Sequence, residues 1–456
     1  MPVLAGEPIH NENRGMFTSY PQVEAARSVA GRLTAHGHRA LLAGGAVRDL
    51  LLGLDPHDAD VATSARPEEI AQLFHGAKLV GAAFGVVLVP QGDFWIEVAT
   101  FRREGPYLDG RRPSSVEFTS EEEDARRRDF TVNGLFLDPA TDEILDFVGG
   151  RADLEARVLR AIGDPSARFR EDHLRLLRAV RLAAQLHFTI EPATLAAIRR
   201  MAPLAANVAA ERTRDELIRI LTGADPERAL ELLRDTGLLD ALLPEITAMR
   251  GVEQSPQHHP EGDVLVHTIL LFRYLDSPSP ELAFGALLHD VGKPVTFERG
   301  TDRIRFPMHE KIGAEMAGEI CRRLRFSNDS TERIVELVAN HMRFQHTQEM
   351  RLSTLKRFLA LPGFEEHLAL HRADCLASHG SLAHYYFVRA KIEELGQEEI
   401  RPPRLITGDD LLRIGYREGP EIGRELRRLE ELQLEGVIRT RDEAVDQAIR
   451  DLSTAS

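Results

Sequence analysis

Residues 41–60 read LLAGGAVRDLLLGLDPHDAD, an apolar run followed by a glycine pair and, further on, by two aspartates at alternate positions. In a β-strand, residues two apart point to the same side, so Asp58 and Asp60 would lie next to each other. Two adjacent carboxylates repel unless a cation lies between them, and Mg²⁺ prefers carboxylate oxygens while it keeps positions open for phosphates. The alternative is a pair of aspartates that cap or close a turn. The spacing alone therefore leaves a magnesium site and an ordinary turn both open.

The glycine pair favours the metal site. Gly44 and Gly45 lie between an apolar strand and a predicted helix that carries Arg48 and Asp49. Since glycine has no side chain, backbone N–H groups and the positive end of the helix could approach an anion closely. The stretch is neither the G-x-x-x-x-G-K-[ST] loop nor the G-x-G-x-x-G fingerprint, so the glycines alone are weak evidence. Together with the aspartates, they predict a phosphate next to a bound cation.

The composition limits the class of protein. The chain has 456 residues, of which 43% are hydrophobic, so it can bury several cores and we expect more than one domain. Its formal net charge of −15 argues against non-specific coating of nucleic acid, although arginines clustered in the first half leave room for a local phosphate-binding surface. Two cysteines are too few for a disulfide framework, and no apolar run reaches the length of a membrane span. We therefore expect a soluble, cytoplasmic protein with no membrane partner.

The periodicity of apolar residues changes along the chain. Helical and strand signals alternate up to about residue 147, with a helix at 21–36 and strands at 38–43, 57–62, 85–90 and 94–101. Apolar residues then recur at three- and four-residue spacing, which indicates helices. We expect an α+β multidomain protein with four ranges, 20–148, 149–250, 255–380 and a charged helical tail at 381–456, and with 246–262 as a linker or loop.

Five motifs follow one another along the first half: LLAGGAVRDLLLG with DADVATS, IEVATFR, RRRDFTVNGLFLDP, FREDHLRLLRAVRLA and ERTRDELIRIL. In this order they resemble the motifs of the class II tRNA nucleotidyltransferases, which comprise the CCA-adding enzymes and their bacterial poly(A) polymerase relatives. The resemblance covers residues 20–245. It implies a nucleotidyltransferase head of the polymerase-β type over 20–148, followed by an all-helical neck and body over 149–250 that hold the nucleotide base and the tRNA.

The resemblance also implies roles for single residues. Asp58 and Asp60 would ligate the catalytic Mg²⁺, and Glu97 would be the third carboxylate, on a neighbouring strand; the alternative for Glu97 is a solvent-facing strand residue. Two such ions would lower the pKa of the RNA 3′-hydroxyl and neutralise the triphosphate. The residues implied to bind the nucleotide are Gly44, Gly45, Arg48 and Asp49 in the first motif, Arg128 at a phosphate, Asp129 at a ribose hydroxyl, and Asn133.

Asp172 and Arg175 are three residues apart in a helical pattern, so we expect their side chains to share a face of one helix. A surface ion pair is the simple interpretation. By the family resemblance, the two instead act as a protein template for the incoming base, because adenine and cytosine both present an amino donor beside a ring-nitrogen acceptor. GTP and UTP would leave buried groups unpaired. Arg178 and Arg181 continue the stripe, with Arg178 nearer to the nucleotide and Arg181 at an RNA phosphate or in solvent.

The segment 103–127 contains many turn formers and charges, which is not typical of a core element. We therefore expect that it is not a core element. The resemblance implies a flexible loop here that helps to switch between the addition of C and of A. A mobile loop without that role is the alternative.

A second pattern of metal-ligand types lies in the C-terminal half. Six residues are spread over successive helical segments: His267, His289, Asp290, His309, His341 and Asp374. The doublet in LLHDVGKP resembles the HD-domain phosphohydrolases, in which such side chains bind one or two divalent ions. Histidine with carboxylate suits Mn²⁺, Ni²⁺, Fe or Zn²⁺ better than Mg²⁺ alone. The domain at 255–380 would be an active phosphatase or phosphodiesterase, or else a metal-stabilised structural module. His258 and His259 are expected outside the cluster and exposed.

The first functional hypothesis is that the chain adds the 3′-terminal CCA, or part of it, to tRNA from CTP and ATP without a nucleic-acid template. A poly(A) polymerase, or an enzyme that adds only C or only A, is the alternative within the same class. A metal-dependent phosphohydrolase whose head merely binds tRNA is the alternative from another class, and the carboxylates at 58, 60 and 97 argue against it. The implied partners are tRNA, ATP and CTP, and a homodimer is compatible with the sequence.

Overall fold

The computed structural model describes residues 20–81, 85–105, 115–257, 259–301 and 303–455. The chain divides between Pro244 and Glu245 into two compact units, which are described separately. Within the described part of the chain, every helix is too short or too polar to span a membrane. The finer division into four ranges stays a prediction.

The first unit begins with a sheet and continues in helices. Its strands are β1 (Ala40–Ala43), β2 (Asp60–Thr63), β3 (Lys78–Gly81), β4 (Val86–Gln91), β5 (Phe94–Thr100), β6 (Arg102–Glu104), β7 (Val116–Phe118), β8 (Leu135–Leu137), β9 (Ile144–Asp146), β10 (Val158–Leu159) and β11 (Thr189–Ile190). Its helices are α1 (Pro21–Ala35), α2 (Gly45–Leu51), α3 (Pro67–Leu73), α4 (Glu121–Arg127), α5 (Gly150–Glu155), α6 (Pro165–Glu171), α7 (Arg175–Gln185), α8 (Pro192–Met201), α9 (Ala210–Leu221), α10 (Pro226–Thr236) and α11 (Leu238–Leu242). The expected α+β architecture is confirmed.

Seven strands form the main sheet in the order β3-β4-β5-β2-β1-β8-β9. β2 and β5 run parallel, with Val61 opposite Val98, and the other neighbours are antiparallel. Burial alternates along β5, where Ile96 and Val98 are buried while Trp95 and Glu97 are exposed. α1 packs against β1, β2, β4 and β5. The helix therefore covers the apolar face, and Trp95 and Glu97 are exposed on the opposite face of β5.

β2 begins later than the periodicity predicts. The strand expected at 57–62 is wrong at its start, because β2 begins at Asp60. Asp60 pairs with Ala43, the last residue of β1, and Gly44 turns the chain away with a φ of 72°. Since β1 offers no ladder partner beyond Ala43, Asp58 lies in the segment just before the strand.

The segment 103–127 contains more regular structure than its composition indicates. β6 and β7 pair with each other, and α4 follows; residues 106–114, on which part of the expected loop falls, lie outside the described residues. α4 begins after Ser120, whose hydroxyl accepts the N–H of Glu123, and acidic residues fill its first turn, where they suit the helix dipole. The expectation that the segment holds no core element is wrong for α4, because its Ala125 is buried in an apolar cluster with Phe101 and Phe136.

From the division onward the chain is mainly helical. It forms α12 (Pro244–Thr247), α13 (Val264–Leu271), α14 (Pro280–Leu288), β12 (Glu298–Arg299), β13 (Ile304–Arg305), α15 (His309–Arg323), α16 (Asn328–Asn340), α17 (Leu352–Leu359), α18 (Phe364–Ala377), α19 (Ala383–Ile400), α20 (Gly408–Ile414), α21 (Pro420–Leu434) and α22 (Arg441–Ala455). β12 and β13 form a short antiparallel hairpin. One apolar cluster joins Phe358 of α17 to Val388 of α19, and another joins Leu411 of α20 to Leu429 of α21 and Ala448 of α22.

Candidate functional site

The first unit contains a polar cavity of about 740 Å³. It lies at the end of β1 and is walled by α2, the segment around Arg128 and the helices α7 and α9. All of the predicted nucleotide-binding residues line it, together with Asp58 and Asp60. The lining also includes Arg127, Arg212 and Arg219, so guanidinium groups dominate its walls. The cavity is suited to a polyanion.

Two of the three predicted catalytic carboxylates, Asp58 and Asp60, line this cavity at the start of β2, and Glu97 lies in the middle of the neighbouring β5. The parallel pairing of β2 with β5 sets Val61 opposite Val98, which carries Glu97 alongside Asp60, although Glu97 is exposed and does not line the cavity. Burial raises the pKa of Asp60 to about 7, and the carboxylates of Glu97 and Asp58 add to the rise. A buried carboxyl held against two others is stabilised in its charged form by a cation. The all-oxygen donor set therefore fits a hard divalent ion.

Gly44 turns the chain from β1 into α2. Its φ of 72° is one that glycine adopts readily and other residues rarely adopt. A Cβ added there would lie 2.7 Å from Nη1 of Arg128. Its amide N–H donates to the carbonyl of Leu135 at 3.1 Å. The Gly44 amide is therefore already paired within the fold, and the missing side chain of Gly44 lets Arg128 approach the backbone.

A hydrogen-bonded network fixes the predicted nucleotide-binding residues. Arg48 donates to Asp49 at 2.8 Å and to Oδ1 of Asn133 at 2.7 Å, and Asn133 donates to Oδ1 of Asp129 at 3.0 Å. Oδ2 of Asp129 accepts from Nε of Arg178 at 2.8 Å. Burial opposes ionisation of Asp129, but Arg178 and Asn133 outweigh it and hold the pKa of that carboxyl well below its usual range. Asp129 is therefore a charged acceptor, and its contact with Arg178 joins α7 to the segment between α4 and β8.

Asp124 on α4 is a residue that the sequence analysis missed. It is buried and pairs with Arg127 at 2.8 Å and with Arg128 at 3.1 Å. Burial opposes its ionisation, but the two guanidinium groups outweigh it and lower the pKa of Asp124. The i, i+3 and i, i+4 spacing on α4 is the signal that could have found it. Its carboxylate holds two arginines at the wall of the cavity.

Asp172 and Arg175 do not share one helix. α6 ends before Asp172, and α7 begins at Arg175, because Oδ1 of Asp172 accepts the N–H of Leu174 at 3.1 Å and caps the new turn. Asp172 is held by Arg212 of α9, and Arg175 donates to the carbonyl of Arg127 at 3.2 Å. The expected arrangement on one helix face is wrong, yet both side chains line the same cavity.

Arg181 has a partner that the sequence analysis did not name. Its Nε donates to Glu216 of α9 at 2.5 Å, and Glu216 is buried. Arg212 lies four residues before Glu216 on the same helix, so α9 holds α7 at Arg181 and the helix break at Asp172. Such contacts join residues that are distant in sequence, and the motif ERTRDELIRIL is the only local signal for them.

The second unit brings all six predicted metal-ligand residues together. Among the described residues, two of the donor groups that could hold an ion are His267, His289 and Asp374, and Asp290, His309 and His341. A cavity of about 850 Å³ opens onto them, and its lining includes Asp290, His309, His341 and Asp374. Lys293 lies in the same wall, with its ammonium 2.7 Å from Oδ2 of Asp290.

Three imidazoles of this cluster are oriented by backbone carbonyls. Nδ1 of His289 lies 2.8 Å from the carbonyl oxygen of Ala286. Nδ1 of His309 lies 2.9 Å from that of Phe306, and Nδ1 of His341 lies 2.6 Å from that of Val338. Because Nδ1 carries the proton in such a contact, Nε2 is left as the lone-pair donor. The Nε2 atoms lie 3.1, 3.6 and 3.8 Å from the Asp290 carboxylate. Nε2 of His289 is buried, and no described residue gives it a hydrogen bond. The donor set fits a divalent metal.

Glu261 and His259 belong to the cluster although the sequence analysis did not include them. Nδ1 of His267 lies 2.7 Å from Glu261, and its Nε2 lies 3.0 Å from Asp374. Burial alone would lower the pKa of His267, but these two carboxylates raise it to about 9. His259 contacts Glu261 at 2.9 Å and is partly buried, so its expected exposure is wrong; His258 lies outside the described residues. The carboxylate–imidazole contact is one that orients a metal ligand.

Three family models match the chain. "Poly A polymerase head domain" matches residues 40–160, "Probable RNA and SrmB- binding site of polymerase A" matches 187–250, and "HD domain" matches 264–376. Asp58, Asp60 and Glu97 lie within the first match, and Arg212 and Arg219 of the cavity lie within the second. The cavity residues numbered 172 to 185 lie between these two matches. The six predicted metal-ligand residues lie within the third. One chain thus contains matches to a poly A polymerase head domain and to an HD domain.

The chain is similar to CCA-adding enzymes in both sequence and structure. A CCA-adding enzyme of Levilactobacillus brevis is 45% identical over 218 residues, 48% of this chain and 55% of that protein. One of Latilactobacillus sakei is 41% identical over 263 residues, 56% of this chain and 66% of that protein. The matches thus span only part of these relatives. The crystal structure of the Bacillus stearothermophilus CCA-adding enzyme in complex with CTP has a TM-score of 0.74 at 26% identity, covering 95% of this chain and 98% of that one.

Proposed function

We propose that the chain adds the 3′-terminal CCA to tRNA from CTP and ATP without a nucleic-acid template. The observation that carries the proposal is the cavity in which Asp58, Asp60 and every predicted nucleotide-binding residue converge. The curated relatives named CCA-adding enzymes and the similar structure with CTP support the same activity. The RNA 3′-oxygen would bond to the α-phosphorus of the nucleotide as the bond to pyrophosphate breaks.

Asp58, Asp60 and Glu97 would hold Mg²⁺, as their oxygen donors and the raised pKa of Asp60 suggest. Bound Mg²⁺ would lower the pKa of the RNA 3′-hydroxyl and neutralise charge on the triphosphate. Arg128 lies next to Gly44 at the mouth of the cavity, where its guanidinium would bind a phosphate. Asp129, kept ionised by Arg178, would accept a hydrogen bond from the ribose.

Asp172 and Arg175 would select the base. A carboxylate acceptor beside a guanidinium donor matches the amino group and ring nitrogen of cytosine and adenine, and it opposes the reversed polarity of guanine and uracil. In this structure Asp172 binds Arg212, and Arg175 binds Glu171 and backbone carbonyls. An entering base would therefore exchange places with these partners or share them, which makes selection depend on Arg212 and Glu171 as well.

We propose, in addition, that the second unit hydrolyses phosphate esters. Two groups of donors lie within reach of a large cavity, and backbone carbonyls set the imidazoles with Nε2 toward Asp290. A bound Mn²⁺, Ni²⁺, Fe or Zn²⁺ would supply Lewis-acid chemistry at the ester phosphate. Lys293, beside Asp290 in the cavity wall, would add a positive charge for the phosphate oxygens. A metal-stabilised module without hydrolysis is the alternative.

The experiment uses the full chain and a tRNA transcript that lacks its last three nucleotides. Labelled CTP and ATP are offered singly and together with Mg²⁺, and hydrolysis of 2′,3′-cyclic AMP and bis(p-nitrophenyl) phosphate is measured with Mn²⁺ or Ni²⁺. Addition of two C and one A, and then a stop, is expected. Asp60→Asn should abolish addition and spare hydrolysis, whereas Asp290→Asn should do the reverse, so each variant is the control for the other.

Other outcomes assign other activities. Long A tails would favour a poly(A) polymerase, and incorporation of only one nucleotide type would favour a C-only or A-only enzyme. Hydrolysis without any incorporation would favour a phosphohydrolase that binds tRNA. The homodimer and the cytoplasmic location stay predictions.

A further inference from the structure

Among the described residues, one face of the sheet is open beside the third predicted carboxylate, Glu97. Along β5, Ile96 and Val98 are buried, whereas Trp95 and Glu97 point to the opposite face. Residues two apart on a strand are separated by roughly 6–7 Å, so the Trp95 indole stands next to the Glu97 carboxylate. Trp95 is 49% exposed, so half of the largest aromatic side chain of the protein is accessible to a ligand.

The neighbouring strands extend this face. Glu97 is opposite Leu88 of β4, Trp95 is opposite Pro90, and Leu88 is opposite Lys78 of β3. The Lys78 ammonium lies 4.2 Å from the centre of the Trp95 ring, which is a cation–π contact. An aromatic surface and a positive charge therefore lie together on this face of the sheet.

The position of this face relative to the cavity indicates what it binds. The cavity is lined by residues at the ends of β1 and β2, whereas the open face is formed by β5, β4 and β3 on the other side of the carboxylates. In nucleotidyl transfer, the attacking and leaving oxygens lie roughly in line on opposite sides of the phosphorus. If a triphosphate occupies the cavity, the RNA end whose hydroxyl attacks therefore lies on the β5 side.

We propose that Trp95 and Lys78 bind the 3′-terminal nucleotide of the RNA that is extended, with its base stacked on the indole and its backbone phosphate near the ammonium. The inference rests on the proposed nucleotidyl transfer. Stacking accepts any base, because every base has a π face. That tolerance suits an RNA end whose terminal base changes after each addition, while the selection of CTP and ATP belongs to the separate cavity.

The single tryptophan of the chain makes the contact directly measurable. Because Trp95 is the only one, the intrinsic tryptophan fluorescence reports on this position alone. Titration of the full chain with tRNA lacking its last three nucleotides is expected to quench the emission, and CTP alone is expected to leave it unchanged. No change in emission at a tRNA concentration that saturates binding in a filter assay would overturn the proposal.

Kinetics of single variants test the same contact. Trp95→Ala should lower kcat/KM for the tRNA roughly 5- to 100-fold and leave the KM for CTP unchanged, since a base stacked on an aromatic ring is lost. Trp95→Phe keeps a ring and should retain most of the activity. Leu79→Ala is the matched control, because Leu79 is 54% exposed on β3 but alternates with Lys78 onto the other face.

The failure of this inference differs from that of the proposed function. If the wild type adds nucleotides and Trp95→Ala keeps its kcat/KM for the tRNA, the Trp95 site is overturned and the function stands. An equal loss in Trp95→Phe and Trp95→Ala would also overturn stacking. If the wild type adds no nucleotide, the proposed function fails, and quenching by the tRNA still decides whether Trp95 contacts RNA.

Discussion

Arg212 holds Asp172 through two hydrogen bonds, from Nη1 to Oδ1 at 3.1 Å and from Nη2 to Oδ2 at 2.7 Å. α9 therefore sets the position of the Asp172 carboxylate, which in the proposed function contacts the incoming base. Arg212→Ala should free the carboxylate to turn. We expect the ratio of kcat/KM for CTP to that for UTP to fall roughly tenfold or more, since a hydrogen bond to a charged group contributes about 1.5–3 kcal/mol.

Arg214→Ala is the control for Arg212→Ala. Arg214 lies on the same helix and pairs with its neighbour Asp215. Its removal should leave the ratio unchanged. Losses of equal size for CTP and UTP in Arg212→Ala would contradict a role in base selection and would indicate a general loss of binding.

Gly44→Ala should weaken both the fold and the binding of the triphosphate. An alanine at a φ of 72° and a ψ of −131° is strained by about 1–3 kcal/mol. Its Cβ would also lie 2.7 Å from Nη1 of Arg128. We expect a lower midpoint in urea denaturation and a raised KM for CTP. Gly31→Ala in α1 is the matched control, because its Cβ meets nothing within 4 Å and alanine favours a helix by about 1 kcal/mol. A Gly44→Ala protein as stable as Gly31→Ala would refute the argument.

Asp60 should make the metal-free protein less stable as the pH rises. Its pKa is about 7 in the folded state and 3.8 in the reference state, so the folded protein binds the extra proton between these values. Stability is therefore lost as the pH rises through this window. In EDTA, Asp60→Asn should raise the free energy of unfolding at pH 8 by on the order of 4 kcal/mol and have little effect at pH 4.

Thermal unfolding at several pH values in EDTA measures the effect of Asp60→Asn. Asp93→Asn, at an exposed position before β5, is the control and should change little at any pH. Adding Mg²⁺ should stabilise the wild type more than Asp60→Asn. A pH-independent difference between wild type and Asp60→Asn would show that Asp60 does not carry the extra proton.

Glu261 should strengthen metal binding through His267. Its carboxylate lies 2.7 Å from Nδ1 of His267, whose Nε2 faces Asp374. Glu261→Gln keeps an acceptor but removes the charge, and loss of such an outer partner typically costs 10–100-fold in metal affinity. Calorimetric titration of the metal-depleted chain with Mn²⁺ is the measurement. Glu253→Gln, exposed and paired with Arg299, should bind Mn²⁺ like the wild type. Unchanged affinity in Glu261→Gln would remove Glu261 from the metal centre.

The chemistry of both sites was accessible from the sequence because each residue type limits what it can bind. The spacing of Asp58 and Asp60 predicted one cluster, to which the family resemblance added Glu97, and the six histidine and aspartate residues predicted another. The structure brings Asp58 and Asp60 into one cavity, and it brings the six together in two donor groups. The partners of these residues were not accessible. Arg212 and Asp172 are forty residues apart, and that contact follows from the packing of α9 on α7.

Local breaks were also hidden by regular periodicity. FREDHLRLLRAVRLA contains no glycine or proline, so its pattern predicts one helix. In the structure α6 ends before Asp172, whose carboxylate accepts the N–H of Leu174 ahead of α7. Glu261 sits in a loop rich in proline and glycine, where a carboxylate normally faces water. Side chains that act through a tertiary contact leave no periodic signal.

The histidines of the second unit take their direction from the main chain three positions earlier, at Ala286, Phe306 and Val338. A carbonyl oxygen is present whatever side chain its residue bears. Substitution at these three positions can therefore proceed without turning the imidazoles away from the ion. The residues that orient the imidazoles can therefore vary in type, whereas the ligand residues themselves cannot.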